Sequence, residues 1–177
     1  MFDIVSTSSN PTPTIDQLLA IEACREAARR YSYGLDRLDV EVMKSAYWPD
    51  GTDDHGLFVG NAQTFCDMVV ASHGKWTFTM HSIYNHRVDI GSDGVNAGGE
   101  AYCITHLFND DERQMSTWYG RYQDAYEQRD GEWRIMHRVC VHHGTTVEHL
   151  PDSMAIDESK FRQASFDRPA NQRLIGP

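Results

Sequence analysis

The spacing of apolar positions changes once along the chain, from a helical period to an alternating one. Between residues 14 and 71, apolar residues recur at intervals of three and four, as they do on one face of an amphipathic helix. From residue 76 to residue 143, aromatic and β-branched residues alternate with polar ones, which is typical of strands. The pattern therefore predicts helices first and strands afterwards.

Three helices are predicted, and local signals mark their ends. A Thr-x-x-Gln capping box at Thr14 opens the first helix, and Gly34 marks its end. Asp39 can cap a short second helix, which the Trp-Pro-Asp-Gly turn at 48–51 stops. A third helix is predicted over residues 61–71.

Four long strands follow the helices. Their predicted ranges are 76–90, 95–108, 113–127 and 132–143. Asp-Gly turns at Asp93 and Asp130 suit tight hairpins, and a polar turn at 109–111 joins the middle pair. Three helices followed by an antiparallel meander predict an α+β fold, in which the helices cover one face of a strongly curved sheet.

The chain is long enough for one domain with one core. It has 177 residues, of which 40% are hydrophobic. Residues 1–13, rich in Ser, Thr and Pro, predict a flexible arm, and residues 14–145 form the predicted domain. Residues 146–177 lack a clear period and are predicted to pack as an extension on that domain or on a neighbouring subunit.

Charge and cysteine usage exclude several classes of function. Sixteen Lys and Arg against 26 Asp and Glu give a net charge of −10, which repels nucleic acid and anionic membranes. We find no signal peptide and no apolar run of membrane-spanning length, so we expect a cytoplasmic protein. The cysteines are far apart and form no Cys-x-x-Cys pair, which predicts reduced and mostly buried thiols. They are Cys24, Cys66, Cys103 and Cys140.

One combination of residues could move protons without a metal or a cofactor. An Asp such as Asp36 can orient and charge-stabilise a His such as His81, and Tyr31 lies five positions before that Asp. The pair alone is weak evidence, because nine His and 26 acidic residues make such pairs common. Tyr31 by its helical spacing could equally be a core residue, and His81 could lie on a solvent-facing strand side.

A metal site is not expected. The acidic run at 53–55 contains no His-x-His or His-x-x-x-His spacing. His142 and His143 are adjacent in a predicted strand, so their side chains should point to opposite faces and cannot share one ion without distortion.

Four stretches in a fixed order resemble one known family over roughly residues 14–145. They are YGLDRLD, YWPDGTDDHGLFVG, TMHSIYNHRV and YEQRDGEWRIMHR. They resemble the SnoaL-like branch of the nuclear-transport-factor-2-like superfamily. The resemblance implies a cone-shaped α+β barrel with a deep apolar pocket between helices and sheet. It also implies cofactor-free eliminations, like those of scytalone dehydratase, bile-acid dehydratase, hexachlorocyclohexane dehydrochlorinase and sphingomonad formaldehyde lyases.

The resemblance also implies roles for particular residues. It makes His81 the base, Asp36 its acidic partner and Tyr31 a donor to the leaving oxygen. Arg138 would stabilise developing negative charge, or would pair with Asp36 instead. The residues expected to line the substrate pocket are Tyr47, Trp48, His55, Phe58, Asn85, Tyr102, Tyr119 and His142.

The sequence thus predicts a lyase that removes water, a halide or formaldehyde from a hydrophobic cyclic or aromatic substrate. Steroids, polyketides and lignin-derived diaryl compounds are the candidates. Enzymes of this family form trimers through the outer face of the sheet, so the resemblance also implies a homotrimer. Two alternatives remain open: a non-catalytic subunit like the small subunit of ring-hydroxylating dioxygenases, and a ketosteroid-isomerase-like proton shuttle with Asp36 as base.

Overall fold

The computed structural model describes residues 12–151 and 157–160. The described residues form three α-helices, α1 (Ile15–Asp36), α2 (Val40–Lys44) and α3 (Ala62–His73). They also form six strands, β1 (Tyr47–Asp54), β2 (Val59–Asn61), β3 (Phe78–Ile90), β4 (Asn96–Asn109), β5 (Gln114–Arg129) and β6 (Glu132–His149), and a 3-10 turn (Glu158–Lys160). Apart from residues 12–13, 146–151 and 157–160, the predicted arm and extension lie outside the described residues. Strand β6 passes the predicted domain end at residue 145.

The predicted helix starts are confirmed. Thr14 accepts a hydrogen bond from the Gln17 backbone N–H, and the Gln17 side chain accepts from the Thr14 N–H in return. Asp39 caps α2 by accepting from the Val42 N–H at 3.1 Å. Asn61 caps α3 in the same way. Each cap satisfies backbone donors that the first helical turn leaves unpaired.

The predicted end of the first helix at Gly34 is wrong, because α1 continues to Asp36. The glycine serves a close approach between helices instead. A Cβ atom on Gly34 would lie 2.4 Å from the Met43 backbone nitrogen in α2. The two additional residues carry the Asp36 carboxylate to the sheet, so this contact between α1 and α2 helps to position a candidate functional group.

The strands form one mainly antiparallel sheet in the order β2-β1-β6-β5-β4-β3. Strands β3 to β6 are the predicted meander. Strand β1 pairs parallel to β6, and β2 pairs antiparallel to β1. Because β2 and β3 are separate edges in this order, the sheet is not closed into a barrel.

Residues 48–51, predicted to form a turn, lie within β1. Proline has no backbone N–H to donate to a neighbouring strand. Pairing of β1 with β6 accordingly breaks between Tyr47 and Thr52, and then resumes. The turn residues therefore produce an irregularity inside a strand that the sequence did not predict.

The core lies between the helices and one face of the sheet. Buried hydrophobic residues from every α-helix meet buried hydrophobic residues of the strands; among them are Tyr31, Leu35, Met43, Phe65, Tyr47, Tyr122, Tyr126, Trp133 and Ile135. All four cysteines are free thiols, and three are fully buried, which confirms the prediction for them. In the described part of the chain, no helix has the length and apolarity needed to cross a membrane.

Candidate functional site

A cavity of about 270 Å³ remains between the helices and the sheet. Mostly aromatic, imidazole and aliphatic residues from α1, α3, the β1–β2 connection and strands β3 to β6 form its wall. They are Tyr31, Leu35, His55, Gly56, Val69, His73, His81, Thr105, Leu107, Trp118, Tyr122, Cys140 and His142. This composition fits a hydrophobic, ring-bearing ligand that also contacts a few polar groups.

Asp36 and His81 lie within hydrogen-bond distance at one side of this cavity. His81 Nδ1 is 2.6 Å from Asp36 Oδ1. The carboxylate also accepts from the His81 backbone N–H at 2.8 Å and from the Thr79 hydroxyl at 2.9 Å. Three donors fix its orientation. With Nδ1–H donating to Asp36, His81 keeps its Nε2 lone pair for another partner.

His73 lies beside this pair, with its ring centroid 5.9 Å from that of His81. Its Nδ1 is 2.9 Å from the Val69 carbonyl oxygen, to which it donates. Burial, and then the neighbouring His81, lowers the pKa of His73 to about 4. His73 is therefore neutral near pH 7, so it adds no second positive charge when His81 takes up a proton.

Tyr31 is brought to the cavity but not to the Asp36–His81 pair. Its hydroxyl oxygen is 3.3 Å from His55 Nε2. His55 Nδ1 is hydrogen-bonded to Asp53, a fully buried carboxylate that also accepts from the Tyr47 hydroxyl at 2.6 Å. Desolvation and the Asp53 charge raise the pKa of Tyr31 well above its usual value, so it remains a protonated phenol.

Arg138 pairs with Asp124 and not with Asp36. Asp124 lies directly opposite Arg138 across β5 and β6, on the same face, so the two form a cross-strand pair. Arg138 donates from Nε and Nη2 to the two Asp124 oxygens, both at 2.7 Å. The guanidinium carbon lies 4.4 Å from the Tyr31 ring centroid and 4.1 Å from that of Tyr122. These rings separate the fully buried Arg138 from the cavity.

The eight predicted pocket residues fall into three groups. His55 and His142 line the cavity. Three others make contacts elsewhere: Tyr47 is fully buried beside Tyr31, Phe58 packs against Phe65, and Trp48 lies under Arg129 and Arg134.

The other three predicted pocket residues lie on the opposite face of the sheet. Asn85, Tyr102 and Tyr119 line a separate depression of about 360 Å³. Alternation explains this, because Tyr102 and Tyr119 are neighbours of the inward-facing Cys103 and Trp118. Residues Tyr84 and Arg87 flank a register shift that changes the alternation around Asn85.

Several residues of the site were not predicted from the sequence. They include Asp53, His73, Trp118 and Tyr122. Trp118 and Tyr122 could have been found, since they alternate on one face of β5 with Asp124. For His73 the only indication in the sequence was its helical spacing, since it lies four residues after Val69 and therefore on the same helix face. His142 faces the cavity and His143 accepts from Arg121 on the other face, as the strand alternation predicted.

Within residues 12–151 and 157–160, no three His, Cys, Asp or Glu side chains converge in a way that could hold a metal ion.

The family model described as a SnoaL-like domain matches residues 16–139. Among proteins of curated function, none matches the sequence significantly. A candidate scytalone dehydratase from Novosphingobium aromaticivorans is similar in structure, with a TM-score of 0.68 and 21% identity, over 77% of this chain and 92% of that one.

A hexachlorocyclohexane dehydrochlorinase, LinA-type3 from Novosphingobium barchaimii, is also similar, with a TM-score of 0.68 and 18% identity. The match covers 78% of this chain and 98% of that one. At these identities, the structural likeness establishes the fold alone.

Proposed function

The chain belongs to the SnoaL-like domain family, and on that premise we propose that it is a cofactor-independent lyase. Its reaction is elimination of water, a halide or formaldehyde from a hydrophobic cyclic or aromatic substrate. The observation that carries the proposal is the 2.6 Å contact of Asp36 with His81, whose ring lies in the wall of an aromatic cavity.

His81 is the general base in this proposal. Its Nε2 takes a proton from a carbon next to a carbonyl or aromatic group, and the positive charge that forms is stabilised by Asp36. Asp36 is poorly suited to be the base itself, because both of its oxygens already accept hydrogen bonds. This arrangement argues against the ketosteroid-isomerase-like alternative.

The size of the cavity narrows the substrate class. Its volume of about 270 Å³ is slightly below the roughly 300 to 1,000 Å³ of most ligand pockets. A compound with one or two rings therefore suits it better than a four-ring steroid. Trp118 and Tyr122, whose rings stack with centroids 6.2 Å apart, offer an aromatic surface for such a ring.

The test is a turnover screen of aromatic ketones and diaryl alcohols that carry a hydroxyl, halide or hydroxymethyl group. New conjugated double bonds are followed by absorbance, and formaldehyde is assayed separately. We expect turnover of at least one class, with loss of activity in His81→Ala. Binding of these compounds without turnover of any class would support the non-catalytic alternative instead.

A further inference from the structure

A second carboxylate–imidazole pair places its imidazole in the wall of the same cavity. His55 Nδ1 is hydrogen-bonded to Oδ1 of Asp53, whose side chain is 0% exposed. The other Asp53 oxygen accepts from the Tyr47 hydroxyl at 2.6 Å. A buried carboxylate is costly unless it is paired or hydrogen-bonded. The imidazole and the phenol both satisfy it here.

The His55 ring is held in position, yet it remains accessible. It stacks on Phe65 with centroids 4.3 Å apart and an interplanar angle of 22°. Its side chain is 19% exposed, and it lines the cavity together with Tyr31. Nδ1 is committed to Asp53, so the nitrogen left for chemistry is Nε2, which is 3.3 Å from the Tyr31 hydroxyl oxygen. This contact is long for a hydrogen bond, and a substrate oxygen can join it without displacing a strong interaction.

Tyr31 can pass on a proton but cannot lose one permanently. Its burial and the nearby Asp53 charge favour the neutral phenol, as the raised pKa indicates. A phenol in this setting donates its proton only if another group replaces that proton at the same time. His55 Nε2 is placed to do so when the ring carries a proton on both nitrogens, and the Asp53 carboxylate at Nδ1 would stabilise that charge.

We propose that Asp53 and His55 form a second acid–base unit, which resupplies the proton that the Tyr31 hydroxyl gives to a leaving oxygen. The inference rests on the proposed elimination with His81 as base, and it narrows the substrate to an alcohol that loses water. A halide leaves as an anion without a proton and has no use for such a unit.

Each proton and electron pair in the proposed elimination moves between named groups. His81 Nε2 takes the proton from the substrate carbon, and the C–H electron pair forms the new C=C bond. The C–O bond breaks with its electrons on oxygen, which takes the Tyr31 proton and leaves as water. His55 returns a proton from Nε2 to the Tyr31 oxygen. Afterwards His81 loses its proton to solvent, and His55 regains one.

Two probes with one carbon skeleton test the inference. The β-hydroxy ketone and the β-chloro ketone of diphenylpropane both give chalcone, which is followed by its absorbance after subtraction of the uncatalysed rate. We expect His55→Gln and Tyr31→Phe to slow the hydroxy ketone about 10²-fold and the chloro ketone less than about threefold. His81→Ala should slow both. His137→Gln, an exposed histidine on the other face, is the matched control.

The outcomes separate this inference from the proposed function. If folded His55→Gln slows both ketones equally, the second acid unit is overturned. It is also overturned if the wild type converts the chloro ketone but not the hydroxy ketone. If the wild type converts neither ketone, the proposed function fails for this substrate class. The unit is then judged from the ¹⁵N resonance of His55 Nε2. It should shift in Tyr31→Phe, and an unchanged resonance overturns the relay.

Discussion

At the scale of single residues, carboxylates determine which imidazole nitrogen is free. Asp36 engages Nδ1 of His81, and Asp53 engages Nδ1 of His55. In both rings Nε2 is left for the cavity. The two pairs differ in what surrounds Nε2, because only His55 has a tyrosine hydroxyl beside it. This difference is the reason for assigning proton removal to His81 and proton delivery to His55.

The Asp36–His81 pair predicts a particular pattern in mutant kinetics. His81→Ala should lower turnover by about 10² to 10⁴, because proton transfer by a positioned side chain contributes that much. Asp36→Asn should cause a comparable loss, since an amide can hold the ring but cannot stabilise its positive charge. The double variant should lose little more than either single variant, because the two residues act as a unit.

The measurement is kcat/KM of the three variants on a substrate from the screen, with thermal unfolding as the stability control. Near-wild-type rates in His81→Ala would move the base role to another residue. Strongly additive losses would mean that Asp36 and His81 perform separate tasks.

At the scale of helices and strands, element ends position the reactive groups. The end of α1 carries Asp36 to β3, and this geometry depends on the close approach of α1 to α2 at Gly34. The end of α3 carries His73 to the same place. Strand β1, paired parallel to β6, carries Asp53 below the cavity. Three separate elements therefore have to pack correctly before the candidate site exists.

Gly34→Ala should destabilise the protein by about 1 to 3 kcal/mol, the usual cost of overpacking. The added methyl group would meet backbone atoms of α2, and these cannot move aside as a flexible side chain can. Urea unfolding measures the loss. Gly98→Ala is the matched control, because its Cβ would meet no atom within 4 Å. Equal stability of the two variants would contradict this account of Gly34.

His73 should make stability depend on pH in the acid range. Its pKa is about 4 in the folded protein, against about 6.5 for an unperturbed histidine, so the unfolded chain binds a proton that the folded chain rejects. The stabilisation by neutral His73 is complete above about pH 6.5 and is lost as pH falls towards 4, by about 3 kcal/mol.

His81, Asp36 and Lys75 are the titratable groups near His73, so the contribution of His73 to the pH dependence has to be isolated by mutation. Urea unfolding of the wild type and His73→Gln between pH 4 and 7 does this. We expect the variant to lose less stability on acidification, whereas His149→Gln, at an exposed site, should behave as the wild type. An unchanged pH dependence in His73→Gln would show that His73 is not buried in its neutral form.

At the scale of the whole molecule, the sheet is unusual in its outer face. An antiparallel sheet commonly packs one face on the core and exposes a polar face to water. The helices cover one face, while large side chains remain exposed on the other. Tyr84 is 50% exposed, Tyr102 44% and Tyr119 38%. They surround the outer depression together with Ile104. Contiguous exposed apolar surface of this kind is typical of interfaces.

We expect a homotrimer in which this outer face is covered by neighbouring subunits. A stable interface buries about 800 Å² on each partner, which a long strand face can provide. Light scattering after size-exclusion chromatography should give three times the chain mass, and Tyr102→Lys should shift the protein towards monomer without loss of helical signal. A wild-type monomer at micromolar concentration would contradict this expectation.

Local patterns along the sequence were enough to predict the order of the three helices and four long strands, the helix caps, the hairpin meander and the opposite directions of His142 and His143, but not strands β1 and β2. Caps, tight turns and strand alternation depend on residues within a few positions of each other, so one sequence carries them. The proximity of Asp36 and His81 followed from family resemblance, and the folded chain brings the two together.

Tertiary structure alone decided the parallel pairing of β1 with β6, the Arg138–Asp124 pair and the union of Asp53, His55 and Tyr31. The β1–β6 pairing joins strands far apart in sequence. The Arg138–Asp124 pair follows a register shift in the β5–β6 hairpin, and Tyr31 reaches His55 only when α1 packs on the sheet. A single register shift, as between Tyr84 and Arg87, changes which face a side chain occupies. The physical reason is that strand alternation determines only that neighbouring side chains point to opposite faces of the sheet. The face that becomes the cavity is chosen when the helices pack on the sheet.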